Sequence, residues 1–180
     1  KEVLKNLIQN IRNYFEASNG HLNGIINNAA LQIIKPFEEI SSKEWDKLLA
    51  VNLIAPVELS KAFMPDLKRN RGSIINIGSI HINLTKPLFS SYAVSKGALK
   101  TLTQSLAVEF GDKVRVNMIE PAAIETPMLL EGFKNDSKNL DYLKKLHPTK
   151  MIGDPDDIAN AALFLMDHNQ KFLNGTSLQL

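Results

Sequence analysis

The chain has 180 residues, 44% of them hydrophobic and 22% charged, with no cysteine and a formal net charge of +2. That length suits one domain able to bury roughly 70% of its unfolded surface, and the composition excludes a disordered tail, a collagen-like repeat or a coiled coil. Without cysteine there is no disulfide scaffold, thiol nucleophile or thiolate zinc site, and so small a net charge argues against nucleic-acid or membrane partners.

In chain order, Val3, Leu4, Leu7, Ile8, Ile11, Tyr14 and Phe15 recur at steps of three and four, which predicts an amphipathic helix over 3–16 stopped by Ser18-Asn19-Gly20. The apolar run 22–26 is of strand length and suits a buried parallel strand. A helix capped by Ser41 or Ser42, with Trp45, Leu48, Leu49 and Leu53 on one face, is predicted to reach about Phe63, with Pro56 kinking or breaking it. Residues 73–78 form a second strand closed by Gly78, and Ala93, Ala98, Leu99, Leu102, Leu106 and Phe110 mark a helix over 90–110. A third strand covers 114–119, a looser stretch runs over 126–153, a helix led by Pro155 reaches Met166, and a last strand begins near Thr176 and is still running at Leu180.

This alternation predicts an α/β fold, a Rossmann-like doubly wound parallel sheet with helices on both faces. In such sheets ligands sit at the carboxyl ends of strands, so the chemistry is expected just after Ile26, Ile77 and Ile119. No run approaches the roughly 18 apolar residues that cross a bilayer, the start has no signal-peptide pattern, and the expected location is cytoplasmic. The first residue is not Met, and the chain opens inside an amphipathic segment.

The three strand ends carry Asn27-Asn28-Ala29-Ala30, Gly78-Ser79 and 121–126, and the helix after the second strand puts Tyr92 and Lys96 on one face. A Tyr and a Lys four apart are weak evidence alone; the ordered set is not. Asn-Asn-Ala-Ala at 27–30, Val-Asn-Leu at 51–53, Asn-Ile-Gly-Ser at 76–79, Tyr-Ala-Val-Ser-Lys at 92–96, Arg-Val-Asn at 115–117, Pro-Ala-Ala-Ile-Glu-Thr at 121–126 and Gly-Asp-Pro-Asp-Asp-Ile-Ala at 153–159 occur in sequence. The gaps are 27 residues from Asn52 to Ser79, 13 to Tyr92 and four to Lys96. With these motifs and spacings, which span essentially the whole chain, the sequence resembles the short-chain dehydrogenase/reductase family.

The resemblance implies an oxidoreductase transferring a hydride between NAD or NADP and a small carbonyl or alcohol substrate, acting on CH–OH donors. Tyr92 would be the general acid/base, Lys96 would lower the phenol's pKa and hold the nicotinamide ribose, Ser79 would bond the substrate oxygen, and Asn52 would hold a water linking Lys96 to solvent. An unperturbed phenol titrates near 10, so reaching neutrality takes about 4 kcal/mol of differential stabilisation, which a nearby ammonium can supply. Asn28, Ala29 and Ala30 would lie against the cofactor, with Pro121, Ile124 and Thr126 on its nicotinamide side. Ala30 and Ala122 stand where the family usually has Gly.

The resemblance also makes residues 126–150 a substrate lid, and implies a homodimer or homotetramer. The competing reading of that apolar stretch is a helical pair packed on the sheet. His81 could touch the substrate or lie on the loop surface, and the other histidines lack metal-ligand spacing, so no metal site is expected. No glycine-rich phosphate loop occurs anywhere in the sequence. Residues 1–180 are therefore expected to be one partial Rossmann-type domain missing its first βαβ portion and the residues that choose between NAD and NADP. The alternative function is a catalytically silent relative acting as a binding or scaffold subunit.

Overall fold

The computed structural model describes residues 2–133 and 137–180. Helix α1, Glu2–Ser18, ends where Asn19 takes a left-handed conformation with φ 50°, a geometry asparagine tolerates. Strand β1, Gly24–Asn27, leads through a loop to α2, Ser42–Leu49. A capping box starts α2: Ser41 Oγ accepts from the Glu44 backbone N–H, and the Glu44 carboxylate accepts from the Ser41 N–H.

A π-helical turn, Ala50–Ile54, joins α2 to α3, Ala55–Asn70. The break expected at Pro56 is thus one wide turn just before the proline, in which Ala55 N–H reaches back to Ala50 O. The helix also passes the expected end at Phe63 and carries Pro65 inside it; burial of Phe63, Met64 and Leu67 on either side of the proline offsets its lost hydrogen bond. By length and composition the stretch Ser42–Asn70 could cross a membrane, contrary to the sequence expectation that no run could. Within it Leu48 and Leu67 are fully buried in the core, whereas Ile54 is exposed.

Beyond α3 come β2 (Ser73–Ile77), α4 (Ser90–Phe110), β3 (Arg115–Glu120), α5 (Pro127–Glu131), α6 (Ser137–Leu146), α7 (Pro155–Met166) and β4 (Ser177–Gln179). The stretch read as loose holds α5 and α6, and residues 134–136 of the expected lid lie outside the described residues. The last strand stops at Gln179, although the Leu180 N–H still donates to Glu120 O.

The strands form one four-stranded sheet in the order β1-β2-β3-β4, every pair parallel. Every residue of β2 and β3 is buried, as in a sheet covered on both faces. Side chains divide by parity: Ile74 and Val116 join Met64, Leu67 and Ala107 under α3 and α4, whereas Ile75, Ile77 and Ile119 pack against Ala162 and Leu165 of α7. This is the doubly wound parallel arrangement expected from the alternation of elements. Arg115, buried on β3, donates to Leu165 O at 2.6 Å, Asp167 O at 3.1 Å and Met166 O at 3.2 Å, closing the C-terminal carbonyls of α7.

Candidate active site

The carboxyl ends of β1, β2 and β3 open into a cleft of about 800 Å³. Ser79, Tyr92 and Lys96 all line it, together with Asn28, Ala30, Pro121, Ile124 and Thr126. Two sequence-predicted residues do not: Ala29 is exposed beside the cleft, and Asn52 is buried behind it.

Backbone geometry at the end of β2 brings Ser79 into place. Gly78 N–H donates to Ile119 O at 2.7 Å, and a Cβ at Gly78 would lie 2.8 Å from Met118 Sδ, so the strand end needs glycine for clearance. Ser79 Oγ then accepts from the His81 N–H at 3.2 Å, which leaves its hydroxyl hydrogen to act on the Tyr92 phenol, whose pKa it lowers.

Lys96, one turn beyond Tyr92 on α4, is 1% exposed, and its Nζ donates to Ile77 O at 2.6 Å. Burial lowers its pKa to about 8, so the ammonium still predominates at neutral pH. It lies 5.7 Å from the Tyr92 ring centroid. The phenol itself departs from expectation. Tyr92 is 9% exposed, and burial raises its pKa above the ordinary value, outweighing the lowering by the Ser79 hydrogen bond. The sequence reading had Lys96 pull this phenol down; in the structure burial dominates and holds it above its ordinary value.

Asn52, 1% exposed in the π turn, donates through Nδ2 to Leu31 O and to Ser95 Oγ, both at 2.9 Å, and accepts from Leu31 N at 2.7 Å. Its side chain pins the segment after Ala30 to α4. A second buried chain runs from Asn27 Nδ2 to Asn76 Oδ1, from Asn76 Nδ2 to Thr103 Oγ1, and on to Leu99 O, tying β1 and β2 to α4. Ser95, Thr103 and the Ile77 carbonyl thus hold the site without having been singled out in the sequence. For Ser95 the signal was its place beside Lys96; a carbonyl acceptor leaves none.

Thr126 caps α5, its Oγ1 accepting from the Leu129 N–H at 3.3 Å. Glu120, fully buried at the end of β3, pairs with Lys100 at 2.8 Å and accepts from Asn83 Nδ2 at 3.0 Å and Gln179 Nε2 at 3.2 Å. Burial works to raise its pKa, but the bonds from Lys100 and Gln179 and the Lys100 charge hold it below the usual carboxylate value. Its partners also tie the loop that follows Ser79 to the sheet. No cluster of His, Asp and Glu with metal-binding geometry occurs among the described residues.

A family model described as enoyl-(acyl carrier protein) reductase matches residues 2–180. The chain belongs to the short-chain dehydrogenase/reductase family. Among other family members, it is 35% identical over 164 residues to an uncharacterized oxidoreductase of Schizosaccharomyces pombe, covering 88% of this chain and 62% of that protein. It is 33% identical over 167 residues to gluconate 5-dehydrogenase of Gluconobacter oxydans, covering 92% of this chain and 65% of the relative. The chain therefore spans less than two thirds of the length of these curated relatives. Among solved short-chain dehydrogenase structures, Thermoplasma acidophilum aldohexose dehydrogenase superposes with a TM-score of 0.91 at 29% identity, over 98% of this chain and 71% of that one. A Burkholderia cenocepacia gluconate 5-dehydrogenase in complex with NADP and tartrate gives 0.87 at 28%, over 96% and 68%.

Proposed function

We propose that this chain carries the catalytic part of an oxidoreductase that transfers a hydride between NAD(P)(H) and a small carbonyl or alcohol substrate. The convergence of Ser79, Tyr92 and Lys96 on one cleft at the strand ends is the observation that supports it. The complexes of similar proteins with NADP and with NADH support the cofactor class.

The residues present fit a dinucleotide. Lys96 Nζ has three donors, of which one goes to Ile77 O, so two can serve ribose hydroxyls in the cleft. Asn28, Ala29 and Ala30 would hold the group on one side, and Pro121, Ile124 and Thr126 on the other. When bound, the nicotinamide supplies or takes up the hydride.

In the reductive direction Tyr92 Oη gives its proton to the substrate oxygen while the Ser79 hydroxyl donates a hydrogen bond to the same atom. The raised phenol pKa keeps Tyr92 protonated at neutral pH, the form this step needs; alcohol oxidation needs the phenolate and gains with rising pH. Lys96, still charged at neutral pH, favours the phenolate left behind. Both amide donors of Asn52 are in use, so its relay role, binding a water that links Lys96 to solvent, falls to Oδ1 or the backbone carbonyl. Residues 126–150 act as the substrate lid of a single, partial Rossmann-type domain, the location is cytoplasmic, and the exposed Val94 and Val108 of α4 suit a homodimer or homotetramer.

Titrating the whole protein with NADPH and with NADH, followed by nicotinamide fluorescence, tests this reading. Saturable binding that weakens at least tenfold in Lys96→Met is expected. Absence of binding to either dinucleotide overturns it.

A further inference from the structure

The imidazole of His81 is built into the cleft wall two residues beyond Ser79. Its ring packs on Phe89 at 4.6 Å between centroids, tilted by 39°, and meets the Tyr92 ring edge-on at 6.3 Å. Phe89 is itself buried and carries Lys86 Nζ over its ring at 4.3 Å. His81 Nδ1 lies 3.1 Å from Leu84 O. A carbonyl oxygen only accepts, so Nδ1 must carry the hydrogen, and in the neutral ring Nε2 is then an acceptor. Burial and the nearby Lys86 both lower the imidazole pKa, which keeps the ring in that neutral form at pH 7.

The frame behind the ring is fixed as well. Ile82 N–H donates to Ser79 O, Leu84 N–H to Ile80 O, and Asn83 Nδ2 to the buried Glu120. Stacking and the Nδ1 bond set the plane of the imidazole, and no hydrogen bond to Nε2 occurs among the described residues. The acceptor is thus held, with little freedom to lose on binding, on a ring that lines the same cleft as Ser79 and Tyr92.

We propose that His81 is a specificity-determining residue whose Nε2 accepts a hydrogen bond from a substrate hydroxyl close to the reacting carbon, so that the cleft selects vicinal diols and the corresponding hydroxy-ketones over simple alcohols and ketones. This rests on the oxidoreductase reading above. A substrate without that hydroxyl forgoes one neutral hydrogen bond, which disfavours it by about two- to tenfold.

The test compares kcat/KM of the full-length enzyme for trans-cyclohexane-1,2-diol and for cyclohexanol, with NAD⁺ and NADP⁺. In the natural protein the diol should be preferred two- to tenfold. The ratio should fall to near one in His81→Leu and be largely kept in His81→Gln, whose amide oxygen can accept, whatever happens to the absolute rates. An unchanged ratio in His81→Leu overturns the proposal. A second readout needs no turnover: imidazole ¹⁵N spectra, assigned against His81→Gln, should show the Nδ1–H tautomer and an Nε2 shift on adding the diol but not cyclohexanol. An Nε2–H tautomer, or no response to the diol, overturns the assignment. Failure to oxidise either alcohol, with the tautomer and the diol response intact, sinks the oxidoreductase reading instead and leaves the recognition standing.

Discussion

Replacing Lys96 with methionine is expected to make the fold more stable at neutral pH while abolishing catalysis. The side chain is 1% exposed and its pKa falls from 10.5 to about 8 through burial. That difference corresponds to roughly 3 kcal/mol by which the folded state disfavours the ammonium. Methionine fills similar volume without a charge but forfeits the charge-assisted bond to Ile77 O, a loss of about 1.5–3 kcal/mol. The variant should therefore be up to about 1.5 kcal/mol more stable at pH 7. The sign with pH follows from proton counting. Between pH 8 and 10.5 the unfolded lysine binds more protons than the folded one, so the natural protein gains stability as pH rises and the advantage of the variant vanishes. Urea unfolding of both proteins from pH 7 to 10.5, with m-values compared, measures this. A variant less stable at pH 7, or a gap that does not change with pH, refutes the reasoning.

Three other expectations concern the frame of the site. Arg115→Ala removes the charged donors that close α7 and should cost about 3 kcal/mol in denaturant unfolding; Arg115→Lys should recover little of it, because an ammonium cannot reach the same spread of carbonyls. Asn52→Ala unpairs the buried Leu31 backbone and Ser95 and should cost about 2–3 kcal/mol by the same assay. A loss under about 0.5 kcal/mol would mean the π turn does not depend on that side chain. Gly78→Ala should be destabilising and should lower turnover, since the new methyl would press on Met118 and the Ile119 carbonyl and displace Ser79; thermal unfolding and initial rates read both.

Much of this architecture was legible in the chain because the two signals that encode it are local. Helical periodicity placed α1 and α4 within two residues, and short apolar runs closed by Gly78 or Pro121 placed the strands. The spacing of Ser79, Tyr92 and Lys96 located the cleft because strand ends and one helix face determine where such residues lie. Other features depend on contacts distant in sequence. The passage of α3 through Pro65 depends on packing against β1 and β2, and the wide turn at Asn52 on the Leu31 and Ser95 groups that satisfy its amide. The raised pKa of Tyr92 was hidden for a related reason: a sequence shows the ammonium next door but not how much water the fold removes from the phenol.

The central claim is that Tyr92 moves the proton that accompanies hydride transfer. Its most direct test is the turnover of Tyr92→Phe in the full-length protein, measured alongside its dinucleotide affinity. Loss of one positioned acid/base should lower kcat by about 10²–10⁴-fold while cofactor binding changes little, since Lys96 remains in place. Turnover retained within a few-fold of the natural protein would contradict the account.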